Sequence, residues 1–189
     1  MKLKAMLKFC KAEKHIEVIY YGNHKYVSSG NVMMCTDKVA PDWFSHDFAT
    51  MLEIDKETLN NFYSEDHMGK CELLKVENLT KIGRLDFSVS SADRVLVPFT
   101  MPTGDVFFVE NDKLSVFDDS GIRQYYYGKW NGVPSVYIAV DTMVIGAIVC
   151  TKVNLLVMKN FTEMLFKGIT KSAAIGFLDA GGQVFIDDM

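Results

Sequence analysis

The 189-residue sequence lacks the short motifs that mark the common enzyme classes. It contains no glycine-rich phosphate loop, no GxSxG nucleophile elbow, no HExxH zinc motif and no paired Cys/His ligand set. Its two His–carboxylate neighbourhoods, His46-Asp47 and Glu65-Asp66-His67, join adjacent residues, whose side chains point apart on a strand. The sequence therefore predicts a protein that is not an enzyme and that uses no metal and no cofactor.

Cysteine is also scarce, and its four copies follow no pattern. Cys10, Cys35, Cys71 and Cys150 form no CxxC pair and have no regular spacing, so neither a zinc ribbon nor a disulfide framework is indicated. The most apolar run, residues 133–149, is interrupted by polar residues and a proline, and the lysine-rich start has no signal-peptide core. We expect a soluble, cytoplasmic protein with reduced thiols.

The composition is that of an ordinary folded protein. Hydrophobic residues make up 49% of the chain and charged residues 23%, which excludes an intrinsically disordered chain. The net charge is −4 and the pI is about 5.6. A protein of this charge does not coat nucleic acid over its whole surface, so any nucleic-acid site must be confined to one face.

The first fifteen residues, MKLKAMLKFCKAEKH, predict an amphipathic helix with two faces. One face is apolar at helical spacing and contains Leu3, Met6, Leu7 and Cys10. A second, basic stripe contains Lys4, Lys8, Lys11 and His15. Residues 1–14 carry a charge of +4 and the rest of the chain −8. Lysine-rich outer faces also keep surface helices soluble, so the stripe alone leaves anion binding and plain solvation both open.

Positive charge is concentrated in one further segment near the end of the chain. It contains Lys152, Lys159, Lys167 and Lys171, with Glu163 as the sole acid between residues 142 and 178. If the two basic segments share one surface, that surface could face a phosphate backbone. The aromatic run Tyr125-Tyr126-Tyr127 fits either a base-stacking platform or a half-buried strand.

The pattern of apolar residues and turn signals predicts many short strands and few helices. Asp55 is placed to cap a helix that extends through Tyr63, and Asn131-Gly132 is a strong hairpin signal. Residues 142–150 fit a helix or a strand equally well. Strands are predicted at residues 16–21, 25–27, 32–35, 48–54, 71–76, 83–89, 94–99, 106–110, 114–117, 122–130, 133–140, 153–158, 164–166, 173–178 and 184–186.

The run Pro102-Thr103-Gly104 breaks helix and strand alike and marks a predicted domain boundary. In both halves, strands are followed by a short helix with an aspartate cap, Asp55 in the first half and Asp141 in the second. We therefore predict an α+β protein of two similar β-rich domains, residues 1–102 and 103–189, each an antiparallel sheet with short helices.

This order of elements resembles the phage-type DNA polymerase sliding clamps, a family that includes proliferating-cell nuclear antigen. The similar features of the first domain are the short MKL helix, the segment Met51–Asp55 leading into a helix, and the closing strand Ser91–Pro98. The apolar segments Val153–Met158, Ala173–Phe177 and Val184–Ile186 resemble the last strands of the family.

The resemblance implies a non-enzymatic, DNA-encircling processivity factor that holds a polymerase on duplex DNA during replication. Three two-domain copies would close a ring, whose inner wall carries short basic helices that contact phosphates. It implies a partner peptide, from a polymerase or clamp loader, bound beside a connector at about Pro98–Val106. The DNA-contacting residues implied by position are Lys2, Lys4, Lys8, Lys11, Lys14, Lys152, Lys159, Lys167 and Lys171.

A second hypothesis has no nucleic-acid partner. In it the chain is a β-rich structural or protein-interaction module, such as a viral assembly component, and the lysine stripe is ordinary surface. The two hypotheses differ in one measurable respect, because changing Lys4, Lys8 and Lys11 to glutamate would impair only the clamp.

Overall fold

The fold is seen in a computed structural model, which describes residues 2–40, 42–66, 74–91, 93–117 and 122–152. The helices in these ranges are short. They are α1 (Leu3–Glu13), α2 (Ser45–Leu52), α3 (Lys56–Phe62) and α4 (Asn111–Leu114), with 3₁₀ turns at Val76–Asn78 and Ser115–Phe117.

The strands of the described residues form one sheet of eleven strands in the order β4-β1-β2-β3-β11-β10-β9-β5-β7-β6, with β8 paired to β7. Strand β4 runs parallel to β1, and the other pairings are antiparallel. The strands are β1 (Ile16–Tyr21), β2 (His24–Ser28), β3 (Val32–Cys35), β4 (Tyr63–Asp66), β5 (Thr80–Arg84), β6 (Val89–Ser91), β7 (Arg94–Thr100), β8 (Val106–Glu110), β9 (Gln124–Trp130), β10 (Val133–Val140) and β11 (Met143–Val149). The described part of the chain is thus mixed α and β, with a large, mostly antiparallel sheet and few helices.

Helix α1 forms where the amphipathic pattern predicts it. Its sequence is rich in the strong helix formers Ala, Leu, Met and Lys, and the apolar face is buried, with Met6, Leu7 and Cys10 each at most 2% exposed. The helix ends at Glu13, and its C-cap residue Lys14 adopts a left-handed conformation with φ 52° and donates its backbone N–H to Cys10 O.

The sheet is buried on both faces, because neighbouring residues of its central strands belong to two different apolar clusters. Val27 and Ile138 lie in the cluster that also contains the buried faces of α1, α2 and α3, whereas Tyr26 and Tyr137 lie in a second cluster with Trp130. Side chains alternate between the faces of a strand, so the two clusters occupy opposite sides of the sheet. This explains why the central strands read as continuous apolar runs.

The first cluster contains a close approach between the sheet and the 3₁₀ turn Ser115–Phe117. A Cβ built on Gly146 in β11 would lie 2.4 Å from Cε1 of Phe117 and 2.4 Å from the backbone oxygen of Met33. The same turn also contacts the start of α1, because Lys2 N donates a hydrogen bond to Val116 O at 2.8 Å. The turn and α1 therefore pack side by side on one face of the sheet.

A repeated order of elements is present, and it differs from the predicted one. A helix followed by a three-stranded meander occurs as α1-β1-β2-β3 and again as α4, the 3₁₀ turn, β9-β10-β11. The last strands of the two meanders, β3 and β11, pair antiparallel through Met34↔Gly146 and its neighbours. The predicted correspondence between Asp55 and Asp141 is wrong, because Asp141 lies in the β10–β11 turn with φ 56° and caps no helix.

Two predicted strands are helical. Residues 48–54 fall mainly in α2, whose start is held by Asp47, with its Oδ2 accepting the Phe44 N–H at 2.7 Å. Residues 114–117 complete α4 and form the 3₁₀ turn. Residues 142–150, left open between helix and strand, form β11, and the strand predicted at 83–89 is replaced by β5 and β6. Of the strand predicted at 71–76, residues 71–73 lie outside the described residues, and the described remainder is not one of the sheet strands, because Val76 begins the 3₁₀ turn Val76–Asn78.

The chain divides into two compact units, Met1–Thr151 and Lys152–Met189. The predicted connector at residues 98–106 lies within the first unit, at the turn of the β7–β8 hairpin, where Thr100 pairs with Val106. The strands predicted at 153–158, 164–166, 173–178 and 184–186 lie outside the described residues. The division into domains 1–102 and 103–189 accordingly stays a prediction.

Candidate nucleic-acid interface

The lysines of α1 lie on its exposed side, opposite the buried residues Met6, Leu7 and Cys10. All five lysines of this segment that are predicted to bind DNA are exposed: Lys2, Lys4, Lys8, Lys11 and Lys14. His15, at the end of the predicted stripe, is half-buried. Burial of one face against the sheet fixes the rotation of the helix, so the lysine side is presented to solvent as a single surface. We call the exposed lysines of α1 the lysine face.

The lysine face has little compensating negative charge on its own helix. The first turn of α1 contains no acidic residue, and the helix dipole adds positive potential at that end. Within the described ranges, Lys4, Lys8 and Lys14 form no ion pair with a carboxylate. These ammonium groups are therefore available to an anion.

Lys11 is engaged by the protein itself. Its Nζ donates to the backbone oxygen of Leu52, the last residue of α2, at 2.8 Å. The last carbonyl groups of a helix lack intrahelical partners and lie at the negative end of the helix dipole, so an ammonium group stabilises them. Lys11 thus connects α1 with α2, a role that spacing along one helix could not reveal.

The second basic segment is described only at its start. Lys152 is exposed. Lys159, Lys167 and Lys171 lie outside the described residues, so their place stays a prediction.

The aromatic run packs into the core. Tyr125 meets Phe99 edge to face with ring centroids 5.0 Å apart, and Tyr127 stacks on Phe107 at 4.5 Å. Tyr126 lies on the other face of β9, in the cluster with Trp130. The half-buried strand therefore accounts for the run, and base stacking is not needed to explain it.

No group of three or more His, Cys, Asp or Glu side chains in the described part of the chain could hold a metal ion. His46 lies 3.3 Å from Asp47 at the exposed start of α2, and His67 lies outside the described residues. Cys10, Cys35 and Cys150 are free thiols, and burial raises the pKa of Cys10 to about 12 and that of Cys35 to about 11. Neither Cys10 nor Cys35 is a thiolate nucleophile at neutral pH.

A buried lysine contacts the loop before α2. Lys25, on β2, is 8% exposed; its Nζ donates to Trp43 O and lies 5.7 Å from the ring centroid of Phe44. Burial lowers the pKa of Lys25, and nearby carboxylates, Glu65 first among them, oppose that shift. The ammonium group therefore serves to hold this loop against β2.

One pair of ionisable residues, His24 and Asp37, was not predicted from the sequence. His24 Nδ1 lies 2.6 Å from Asp37 Oδ2, and Asp37 Oδ1 accepts the backbone N–H of Lys25 at 2.8 Å. The signal was present in the β2–β3 hairpin, because the register that pairs Tyr26 with Cys35 brings residues 24 and 37 opposite each other when it is continued by two residues.

None of the helices in the described ranges is both long enough and apolar enough to span a membrane. The chain matches no protein-family model, and no curated protein or solved structure is significantly similar to it.

Proposed function

We propose that the protein is a clamp-like processivity factor that binds the phosphate backbone of duplex DNA through the lysine face of α1. The observation that carries the proposal is the arrangement of this helix. Its apolar side is buried against a large sheet, and its other side presents exposed lysines, of which Lys4 and Lys8 have no carboxylate partner among the described residues. Phosphate-directed binding requires no base readout and suits a protein that slides.

The dimensions of α1 support contact with a few phosphates. Lys4 and Lys8 are one turn apart, about 6 Å along the helix axis, which is close to the spacing of successive phosphates on one strand. Lys11 is bonded to Leu52 O, so we assign the direct contacts of α1 to Lys4 and Lys8, with Lys2 and Lys14 at the margins. Lys152, Lys159, Lys167 and Lys171 would supply further contacts.

The test is DNA affinity as a function of salt for the unmodified chain and two charge-reversal variants. The variant Lys4→Glu/Lys8→Glu should bind duplex DNA at least tenfold more weakly, with a salt slope shallower by about 0.9 for each phosphate that the variant no longer neutralises. The matched control Lys81→Glu/Lys129→Glu makes the same change in net charge at exposed positions on β5 and β9. An equal loss of affinity in both variants would mean that net charge alone determines DNA binding, and would contradict the assignment of the phosphate contacts to α1.

A ring also requires copies of the chain to associate with one another, which is tested separately. Sedimentation velocity should show an oligomer at high protein concentration, a trimer if the chain holds two clamp domains. Retention on primed circular DNA, and release when the circle is linearised, would demonstrate encirclement. A monomer at every concentration that also fails to bind primed circles would refute the clamp.

An interaction module without DNA is the second candidate, and one observation favours it. Phe44, at the N-cap of α2, is 60% exposed, and Met51, near the end of α2, is 39% exposed. Large exposed apolar side chains are typical of protein-binding surfaces. For this candidate the charge reversal on α1 leaves assembly unaltered, while Phe44→Ser/Met51→Ser abolishes it.

A further inference from the structure

A cleft of about 620 Å³ opens where β3 and β11 separate. Their pairing ends at Met34↔Gly146, and beyond it the chain leaves β3 through Lys38 and Val39 while β11 begins at the β10–β11 turn. The volume falls within the range of about 300–1,000 Å³ that is typical of small-molecule sites. The clamp hypothesis gives this cleft no role.

The wall of the cleft is largely apolar. Its apolar lining residues are Val39, Val140, Met143 and Ile145. Strand β11 contributes its half-buried and buried residues here, so the apolar surface is fixed by the sheet. Such a surface favours a ligand with an apolar body.

Two opposite charges remain uncompensated at the rim. Lys38, after β3, and Asp141, in the β10–β11 turn, are both exposed and line the cleft. Neither forms an ion pair with any described residue. The other charged pair of the lining is matched internally, because Asp37 accepts a hydrogen bond from Lys25 N and pairs with His24. Among its described lining residues, the cleft therefore offers one free cation and one free anion above an apolar wall.

We propose that this cleft binds a free α-amino acid with a large apolar side chain. The carboxylate of the ligand pairs with Lys38, its ammonium group pairs with Asp141, and its side chain packs on Val140, Met143 and Ile145. An amino acid carries both charges on one carbon next to an apolar group, and it is small enough for the volume. A fatty acid would leave Asp141 without a partner, and an amine would leave Lys38 without one.

The test is isothermal titration of the full chain with phenylalanine and with its two singly blocked forms. Phenylalanine should bind, while N-acetylphenylalanine, which lacks the ammonium group, and phenylalanine amide, which lacks the carboxylate, should each bind about tenfold more weakly or worse. Equal binding of all three would show an apolar site without charge recognition. Either that result or no binding of phenylalanine at millimolar concentration overturns the proposal.

Two variants test which residue of the cleft binds each charged group of the ligand. Asp141→Asn should remove the preference for phenylalanine over the N-acetyl form, and asparagine suits the left-handed φ of 56° at this position. Lys38→Met should remove the preference over the amide. Asp86→Asn and Lys129→Met make the same changes at exposed sites away from the cleft lining and should keep both preferences. If the cleft variants discriminate as the unmodified chain does, the assignment fails.

Discussion

At the scale of single residues, the lysines of α1 are chemically alike but structurally different. Lys8 projects into solvent, whereas Lys11 donates to Leu52 O at 2.8 Å. We expect Lys11→Met to lower the free energy of unfolding by about 1 kcal/mol, because α2 loses a charged partner at its C-terminus. Lys8→Met should change it by less than about 0.5 kcal/mol. Urea denaturation of the two variants measures both values, and equal effects would contradict a role for Lys11 in joining the helices.

The Asp37 carboxylate makes stability depend on pH. Partial burial raises its pKa, but hydrogen bonds from Lys25 N–H, His24 and Cys35 outweigh that effect and hold the pKa below its ordinary value. A lowered pKa in the folded state stabilises the protein above the unfolded-state pKa of about 3.9, and this contribution is lost as the pH falls through the folded-state value.

We therefore expect Asp37→Asn to destabilise the protein at pH 6 and to cost progressively less below about pH 4. Urea denaturation at several pH values measures the difference from the unmodified chain. Asp86→Asn is the control, since Asp86 is exposed and its carboxylate accepts no hydrogen bond from another described residue. A difference for Asp37→Asn that stays constant from pH 6 to pH 3 would contradict the assignment.

At the scale of elements, local signals decided which predictions were right. The turn Asn131-Gly132 has φ values of 49° and 78°, the conformation that its two residues favour, and the predicted strand β10 has the observed bounds. The N-cap at Asp55 is confirmed too, because its side chain accepts the Thr58 N–H at 2.7 Å. In these places the residues that define the element lie next to one another in sequence.

The errors occurred where tertiary packing decides the structure. Helix α2 has Phe44 at its N-cap, so its start carries no capping side chain of the usual kind, and its apolar content resembles that of a strand. Two residues of the 3₁₀ turn Ser115–Phe117 are apolar because they are buried against α1 and β11, namely Val116 and Phe117. A short apolar run has the same pattern whether it forms a strand or a buried helical turn.

The contact between the 3₁₀ turn and β11 gives a prediction at this scale. Gly146→Ala should lower the free energy of unfolding by about 2 kcal/mol, because the added methyl group would overlap the Phe117 ring and the Met33 backbone in a packed core. Gly83→Ala on β5 is the matched control, since its nearest neighbour would be Thr100 Cγ2 at 3.6 Å, an ordinary contact. Thermal unfolding of both variants measures the effect, and equal shifts in Tm would show that the close approach is unimportant.

At the scale of the whole molecule, charge segregation was readable from the sequence and its surface arrangement was only partly so. The helical period correctly separated Lys4 and Lys8 from the buried face of α1. It could not show that Lys11 contacts Leu52, or that His24 meets Asp37, because strand pairing and helix packing bring these residues together from 41 and 13 positions apart. Sites built across elements require the topology as well as the pattern.

Removal of residues 153–189 separates α1 from Lys159, Lys167 and Lys171 of the second basic segment, while Lys152 is retained. Residues 1–152 contain α1 and both apolar clusters, so we expect this truncated chain to unfold in one cooperative transition. It lacks Lys159, Lys167 and Lys171, so it should still bind duplex DNA but with a shallower salt slope, by about 0.9 for each phosphate that those lysines neutralise in the full chain. Circular dichroism and salt-dependent titration measure these outcomes. An unchanged slope would show that the C-terminal lysines do not contact DNA. Complete loss of binding by a folded 1–152 would show that α1 does not bind DNA.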